Sequence, residues 1–371
     1  MEISTLRRLW ALLVALMLVA AACGGDDDSG SDVGGDGGDG GDGGNGELVA
    51  VDVGLSTGGP FAYGYWIAEE LGFYDDEGYD VSLQPTGGSS DVAQLLASEN
   101  VVAGMGVPGA MLPAIEQGSE LYPFFTYAYG EVFDVVVPAG SDITSIEDLA
   151  GKTIGISDLA GGETPLVKAL LSEAGIDPDT GVEMFEVGAA PPKVQLAVDR
   201  GQIDAYSSAK SDIARIQSAG IELNSIAPES LLELPAEGLL AHSATKDDRE
   251  LLVALGRATA KGQLIAYTNL DAAVCALKAQ IPEEFTDEEA GRASLESVIP
   301  ITMAPQEGDG YRFGYLDAEG WNTYVEIFIQ GEVLTEDIDM SQYVVDDIVD
   351  DINDFDQQEI IDMANELPTD C

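Results

Sequence analysis

The chain has 371 residues and is strongly acidic, with 68 Asp and Glu against 15 Lys and Arg and a formal net charge of −53 at pH 7. This charge repels nucleic acid and anionic membrane surfaces, so nucleic acid is excluded as a partner. Apolar residues nevertheless make up 45% of the chain and recur in regular periods, which indicates a folded body with an acidic surface.

The N-terminal segment is built like an export signal. Two arginines precede an uninterrupted apolar stretch over residues 10–19, and three alanines lead directly into Cys23. The apolar stretch is too short to span a bilayer. The pattern resembles the lipobox of bacterial lipoproteins, which implies a signal peptide over residues 1–22 and a lipid on Cys23 that holds the protein on the extracytoplasmic face of the cell membrane. An ordinary cleaved signal and a single transmembrane helix are the alternatives.

Residues 23–47 contain little besides glycine, aspartate and serine, which predicts a disordered tether. The folded part therefore begins near residue 48 and is long enough for about two domains.

Strands, glycine-containing loops and helices alternate along the folded part. Alternating or continuous apolar runs predict strands at residues 48–55, 79–83, 101–105, 153–156, 182–187 and 203–207. Amphipathic spacing predicts helices from about Phe61, after Gly88, after Gly109, from Thr164 as N-cap, and over residues 192–200, 247–269, 270–279, 287–298 and 317–330. This order predicts an α/β fold with mostly parallel sheets whose loops gather at the carboxyl edge of the strands.

Few residues are suited to metal binding or catalysis. His242 is the only histidine, which rules out a centre built on several imidazoles, and no phosphate loop, nucleophile elbow or HExxH helix is present. We therefore predict a protein that is not an enzyme, with no metal and no cofactor. Cys275 and Cys371 either form a disulfide or remain thiols, because spacing alone cannot show that they meet.

Four segments carry a resemblance to a known family. They are Phe61 to Tyr74 running into Val81, Gly87 to Asp91, Ile146 to Ile156, and Gly201 to Ala205. These segments resemble type II solute-binding proteins of ABC importers, in the subfamily that binds thiamine-pyrimidine precursors, alkanesulfonates, taurine or nitrate. The resemblance implies a monomer that receives a small-molecule solute and delivers it to the permease subunits of an ABC importer.

The resemblance also implies two α/β lobes, each with a mostly parallel sheet flanked by helices, that close around the ligand. Two crossover strands, near residues 134–138 and 238–242, would join the lobes. Lobe one would be residues 48–137 plus a helical C-terminal region, 238–371, and lobe two residues 138–237.

The ligand is expected where glycine loops lead into helices, because unpaired backbone N–H groups there suit polar ligand atoms. In lobe one the candidates are Ser56, Phe61, Ala62, Tyr63, Gly88, Ser89, Gly106 and Val107. In lobe two they are Gly161, Gly162, Thr164, Tyr206 and Ser207. Phe61 and Tyr63 are the candidates for stacking on a planar ligand.

None of these loops contains Arg or Lys, and the nearest basic residues are Lys193 and Lys210. This favours a neutral or cationic planar solute such as a thiamine pyrimidine precursor over a sulfonate, taurine or nitrate. Two other classes stay open: an enzyme of the pyrimidine synthase kind on the same fold, and a ligand-sensing module with a separate membrane partner.

Overall fold

The computed structural model describes residues 47–159, 161–228 and 234–371, and residues from Glu47 onward belong to one compact unit. The predicted signal peptide, Cys23 and nearly all of the tether lie outside the described residues. Within the described residues no helix is long and apolar enough to cross a membrane.

The strands within these ranges are short and are distributed along most of the chain. They are β1 (Val49–Leu55), β2 (Tyr79–Pro85), β3 (Ala103–Gly106), β4 (Leu121–Ala128), β5 (Phe133–Pro138), β6 (Thr153–Ile156), β7 (Glu183–Glu186), β8 (Ala205–Ala209), β9 (Leu223–Ser225), β10 (Glu237–His242), β11 (Gln306–Glu307) and β12 (Gly310–Tyr311).

The helices dominate the C-terminal third. They are α1 (Tyr63–Glu70), α2 (Phe73–Asp76), α3 (Ser89–Ala97), α4 (Pro108–Glu116), α5 (Glu163–Glu173), α6 (Pro191–Asp199), α7 (Lys210–Ser218), α8 (Arg249–Thr268), α9 (Leu270–Gln280), α10 (Glu288–Thr302), α11 (Ala318–Gln330), α12 (Val349–Ile352) and α13 (Gln357–Glu366).

Two five-stranded sheets have the same plan. The first has the order β2-β1-β3-β10-β4 and the second the order β7-β6-β8-β5-β9. In each sheet the first three strands are parallel, and the fourth strand runs antiparallel to both of its neighbours. Two sheets of this kind flanked by helices confirm the predicted fold class.

The chain passes between the sheets twice. It leaves the first sheet after Ala128 and enters the second at Phe133, and it returns between Ser225 and Glu237. Strand β5 pairs only within the second sheet and β10 only within the first, so both passages lie before the strands expected to form the crossovers. The apolar composition of these strands reflects their central position in a sheet, where both faces are buried.

The C-terminal helices pack against helices of both halves of the molecule rather than of one. Helix α8 packs on α1, whereas α10 packs on α7 and α11 packs on α5. The apolar side chains of α11, among them Trp321 and Phe328, share one buried cluster with residues of α4 and α5. The helical region therefore ties the two halves of the molecule together.

A disulfide joins Cys275 on α9 to Cys371, with the two Cα atoms 5.7 Å apart. Helix α13 lies between them in sequence and packs on α8. The bond thus fastens the C-terminal segment to the helical region.

One predicted helix start is wrong. Helix α5 begins at Glu163 with Gly162 as N-cap, two residues before the expected cap Thr164. The Glu163 side chain reaches back instead, where its Oε1 accepts hydrogen bonds from the Ser157 hydroxyl and the Asp158 amide. Strand β4, which the sequence analysis did not assign, supplies the edge of the first sheet.

Candidate functional site

A cavity of about 320 Å³ lies between the two sheets. Its walls are the loops that follow β1, β2 and β3 of the first sheet and β6, β7 and β8 of the second. These loops lie at the carboxyl ends of parallel strands, where open α/β sheets bind their ligands. The volume falls within the range of about 300 to 1,000 Å³ that is typical of small-molecule sites.

Most of the lining is small or polar. The first sheet contributes Ser56, Thr57, Gly58, Gly59, Pro60, Phe61, Thr86, Gly87, Gly88, Ser89 and Val107. The second sheet contributes Ser157, Asp158, Gly161, Gly162, Glu163, Ala189, Ala209, Ser211, Asp212 and Arg215, while Val132, Phe133, Glu237, Glu284 and Ser294 complete the wall.

Glu237 is the most deeply buried acidic group in the cavity wall. It is the first residue of β10, its side chain is 2% exposed, and its Oε1 accepts a hydrogen bond from Ser56 Oγ at 3.1 Å. Burial disfavours the charged form and raises the pKa of Glu237 to about 8. The carboxyl therefore carries its proton near neutral pH.

Arg215 is the only basic side chain among the described residues of the wall, and it is already paired. Its Nη1 lies 2.8 Å from Glu284 Oε2, and its Nη2 lies 2.9 Å from Asp212 Oδ1. Arg215 belongs to α7, whereas Glu284 precedes α10, so the ion pair bridges two elements of the wall. Burial raises the pKa of Asp212, and the Arg215 charge opposes that shift.

Two aromatic rings reach the cavity from different sheets. Phe61 follows β1, and its carbonyl accepts a hydrogen bond from Tyr127 Oη at 2.8 Å, which fixes the loop. Phe133 begins β5 and is half-buried. Both residues line the cavity, one from each half of the molecule.

Glycines bring the two halves into backbone contact beside the cavity. A Cβ atom on Gly109, in the first turn of α4, would lie 2.3 Å from the Gly162 carbonyl oxygen. A Cβ atom on Gly162 would lie 2.2 Å from Val107 Cγ2. Neither position has room for a side chain in this arrangement of the two halves.

Seven of the thirteen candidate residues line the cavity. They are Ser56, Phe61, Gly88, Ser89, Val107, Gly161 and Gly162. These seven residues lie in or next to the loops that follow parallel strands, and their contact with a ligand stays a prediction.

Six candidates lie outside the lining: Ala62, Tyr63, Gly106, Thr164, Tyr206 and Ser207. The first two are fully buried under the loop, and the Tyr63 hydroxyl is bonded to Thr302 Oγ1 at 2.5 Å. Gly106 faces Leu240 of the neighbouring strand β10.

The three candidates of the second half that lie outside the lining make hydrogen bonds within that half; they are Thr164, Tyr206 and Ser207. The Thr164 hydroxyl donates to the Asp158 carbonyl at 3.4 Å, and the Tyr206 hydroxyl to the Gly188 carbonyl at 3.0 Å. Ser207 Oγ donates to the Asp134 carbonyl at 3.0 Å. These six residues pack and brace the loops.

Sequence reasoning missed the charged residues of the wall and Phe133. Asp212 and Arg215 lie on α7, to which the sequence analysis assigned no element, and Glu237 stands just before the expected crossover strand. Glu284 lies beyond the segments that carried the resemblance. Acidic residues are so frequent in this chain that five in a wall give no local signal. Across the described residues no group of His, Cys, Asp and Glu is placed to hold a metal ion.

The fold is that of type II periplasmic binding proteins, as comparison with solved structures shows. A protein from Bordetella bronchiseptica superposes with a TM-score of 0.63 at 20% identity, covering 83% of this chain and 98% of that one. The alkanesulfonate-binding protein SsuA from Xanthomonas axonopodis pv. citri, bound to MOPS, gives 0.62 at 14% identity, covering 81% and 99%. The periplasmic nitrate-binding protein NrtA from Synechocystis PCC 6803 gives 0.60 at 13% identity, covering 87% and 99%.

A sequence profile described as NMT1/THI5 like matches residues 60–273. The chain belongs to the NMT1/THI5-like family. The matched residues include every strand of the two five-stranded sheets except β1, and most of the cavity wall. No curated protein sequence matches the chain.

Proposed function

We propose that this protein is an extracytoplasmic solute-binding protein that holds a small organic molecule in the cavity between the sheets and delivers it to an ABC importer. Hinged closure of the two halves would trap the solute. The observation that carries the proposal is a single cavity walled by the carboxyl-end loops of both sheets, in a chain of the NMT1/THI5-like family. A lipid on Cys23 would hold the protein beside the importer.

The charges of the wall favour a neutral or weakly basic solute. Five acidic side chains line the described part of the cavity against one basic side chain. Both Nη atoms of Arg215 are occupied by carboxylates, so its charge is balanced before a ligand arrives. An anionic sulfonate or nitrate would compete with these two carboxylates for the Arg215 charge, although the buried Nε of Arg215 has no hydrogen-bond partner among the described residues.

The aromatic rings favour a planar solute. Phe61 and Phe133 approach the cavity from different sheets, and a flat heterocycle could lie between them when the halves close. A pyrimidine of the thiamine precursor type meets the requirements of shape, size and charge.

A thermal-shift panel tests the proposal. Thiamine-type pyrimidines, alkanesulfonates, taurine, nitrate and purines would each be added to the purified protein. A ligand that binds only the folded state at 100 times its Kd stabilises it by about 2.7 kcal/mol and raises the Tm. We expect the rise with the pyrimidines. A rise with sulfonates or nitrate alone would keep the solute-binding role but refute the proposed ligand.

Matched variants show whether the ligand occupies this cavity. Phe61→Leu and Phe133→Leu keep apolar volume but remove a ring from the wall, so the ligand-induced rise in Tm should shrink. Phe355→Leu makes the same change in the aromatic cluster beside Phe313, away from the described lining, and should leave the rise intact. Equal effects of all three would place the ligand elsewhere.

The membrane anchor is tested separately. Cys23→Ala should release the protein from the membrane fraction, whereas Cys275→Ser, which also removes one cysteine, should leave it there. Retention of the Cys23→Ala protein after its precursor has been cleaved would contradict the lipid anchor.

The enzyme alternative has little support from the site. His242, the one histidine, lies within β10 at 5% exposure, its Nδ1 accepts a hydrogen bond from the Ala244 amide at 3.1 Å, and it is not among the described lining residues. A histidine so placed cannot reach a molecule held in the cavity.

A further inference from the structure

The ion pair between Arg215 and Glu284 joins the two halves of the molecule at the cavity wall. Arg215 lies on α7, whose buried isoleucines belong to the apolar cluster of the second sheet. Glu284 lies in the short turn Pro282–Phe285, and Phe285 is buried in the cluster that contains the first sheet, α1 and α8. The two charges are therefore carried by different halves, and the distance of 2.8 Å between Arg215 Nη1 and Glu284 Oε2 requires that those halves be close together.

The contact between α7 and α10 beside this pair is not part of a shared apolar cluster. Leu295 and Val298 of α10 belong to the cluster of the first half, whereas the buried isoleucines of α7 belong to a separate one. Ser211 of α7 and Ser294 of α10 are buried and line the cavity. A polar interface of this kind loses little when water replaces it, whereas burial of apolar surface would hold the two helices together.

Asp212 holds Arg215 in position for this contact. It precedes Arg215 by one turn of α7, its Oδ1 lies 2.9 Å from Arg215 Nη2, and its Oδ2 accepts a hydrogen bond from Ser208 Oγ at 3.2 Å. These contacts lie within one half, so they persist when the halves separate. Arg215 thus stands between two carboxylates, Asp212 and Glu284, which come from different halves and would otherwise repel each other on closing.

We propose that Arg215 and Glu284 form an electrostatic latch, which favours the closed arrangement of the two halves whether or not a solute is in the cavity. The inference rests on the proposed function, because it assumes halves that open and close.

The exposure of the pair sets the expected size of the effect. The two side chains are 27% and 26% exposed, so the pair is only partly screened by water. Its loss should shift the ratio of closed to open protein by about two- to fivefold. The apparent affinity for any solute that requires closure changes with the closed fraction.

The closed fraction can be measured without a solute. Spin labels at two exposed positions, Asp80 of the first half and Asp199 of the second, report the separation of the halves by pulsed electron paramagnetic resonance. The labels are attached to non-natural amino acids, which leaves the disulfide between Cys275 and Cys371 intact.

A matched pair of variants tests the latch at about pH 8, well above the usual pKa of a carboxyl. Glu284→Gln removes the charge and keeps the shape, so it should lower the ratio of closed to open protein by about two- to fivefold. Glu283→Gln makes the same change at the neighbouring exposed position and should leave the ratio unchanged.

A second variant distinguishes the latch from a purely structural contact. Arg215→Gln should open the protein further than Glu284→Gln does, because Asp212 and Glu284 then face each other without the cation between them. Adding Glu284→Gln to Arg215→Gln should close the protein again, although the same change opens the unmodified protein. A loss of packing would instead lower the closed fraction in both backgrounds.

The outcomes separate this inference from the proposed function. An unchanged ratio in Glu284→Gln, or further opening when Glu284→Gln is added to Arg215→Gln, would overturn the latch alone. One identical distance between the labels in every variant would overturn the latch and hinged closure together. If Arg215→Gln does not fold, the comparison of Glu284→Gln with Glu283→Gln still decides the question. Absence of binding throughout the thermal-shift panel would refute the proposed solute, whereas the latch is measured without one.

Discussion

The contact between Gly109 and Gly162 predicts a variant that binds poorly but folds well. Helix α4 follows a strand of the first sheet and α5 a strand of the second, so their N-terminal turns meet only when the halves are close together. A Cβ atom on Gly109 would lie 2.3 Å from the Gly162 carbonyl oxygen. We expect Gly109→Ala to lower ligand affinity without lowering the Tm of the free protein.

The size of the effect follows from that distance. Contacts to a Cβ atom essentially never fall below 3.0 Å, so the two helix ends must separate by about 0.7 Å or more. Overpacking of this kind costs about 1 to 3 kcal/mol, which corresponds to about fivefold to about 150-fold in affinity. The free protein avoids the cost by staying open, and alanine is favoured over glycine in a helix by up to about 1 kcal/mol.

Gly262 offers a matched control. A Cβ atom there would lie 2.0 Å from the Gly64 carbonyl oxygen, but α8 and α1 are packed in one apolar cluster that no hinge motion separates. Gly262→Ala should therefore lower the Tm of the free protein. Calorimetry with a ligand from the thermal-shift panel and thermal unfolding without ligand measure the two effects. If Gly109→Ala lowers the free protein's Tm as Gly262→Ala does, or leaves affinity unchanged, the contact is not a feature of closure.

Three further predictions concern stability. Reducing the bond between Cys275 and Cys371, which are 96 positions apart, should lower the free energy of unfolding by about 2 to 5 kcal/mol, because a long closed loop restricts the unfolded chain. Denaturant unfolding with and without reductant measures this change, and identical unfolding midpoints would contradict it. Glu237→Gln should stabilise the protein by up to a few kcal/mol at about pH 8.5 and by nothing below about pH 4.5. The reason is that a carboxyl whose pKa is raised in the folded protein destabilises the fold as the pH rises above the pKa of the unfolded chain. A gain in stability at acidic pH would contradict the direction of the pKa shift. Raising salt from about 0.01 M to about 0.15 M should raise the Tm. The Debye length falls from about 30 Å to about 8 Å, so the salt screens the repulsion among the acidic residues, which outnumber the basic residues by 68 to 15. An unchanged Tm would show that the surface charges repel each other little.

Local elements could be predicted from the sequence because their signals are local. The predicted strand at residues 153–156 is β6 as observed, and the predicted boundary at Asn269 separates α8 from α9, where the Asn269 side chain caps the second helix by accepting from the Ala272 amide. Alternation, caps and glycine boundaries specify such elements within a few residues.

The sequence carries no comparable local signal for the pairing of distant strands. It also does not show which residues of a loop or helix face the cavity and which face the core. Tyr63 and Phe61 stand two positions apart beside the same glycine loop, yet Phe61 borders the cavity and Tyr63 is bonded to Thr302 in the core. Successive helical residues point in directions about 100° apart. A shift of one or two residues in the start of the helix therefore changes which side chains face the core and which face the cavity. The position of Glu237 in the cavity wall depends on the return of the chain to the first sheet, and no short sequence motif predicts that return.

The placement of β10 between β3 and β4 in the first sheet also sets the order in which the protein can fold. Met105 of β3 pairs with Leu239 of β10, more than 130 residues further along the chain. The first 80 or so residues of the folded body therefore cannot complete their sheet while the polypeptide is still being synthesised up to that point. The earliest strands therefore stay without a complete set of neighbours until a late strand is available, which lengthens the time that the chain spends without its first sheet.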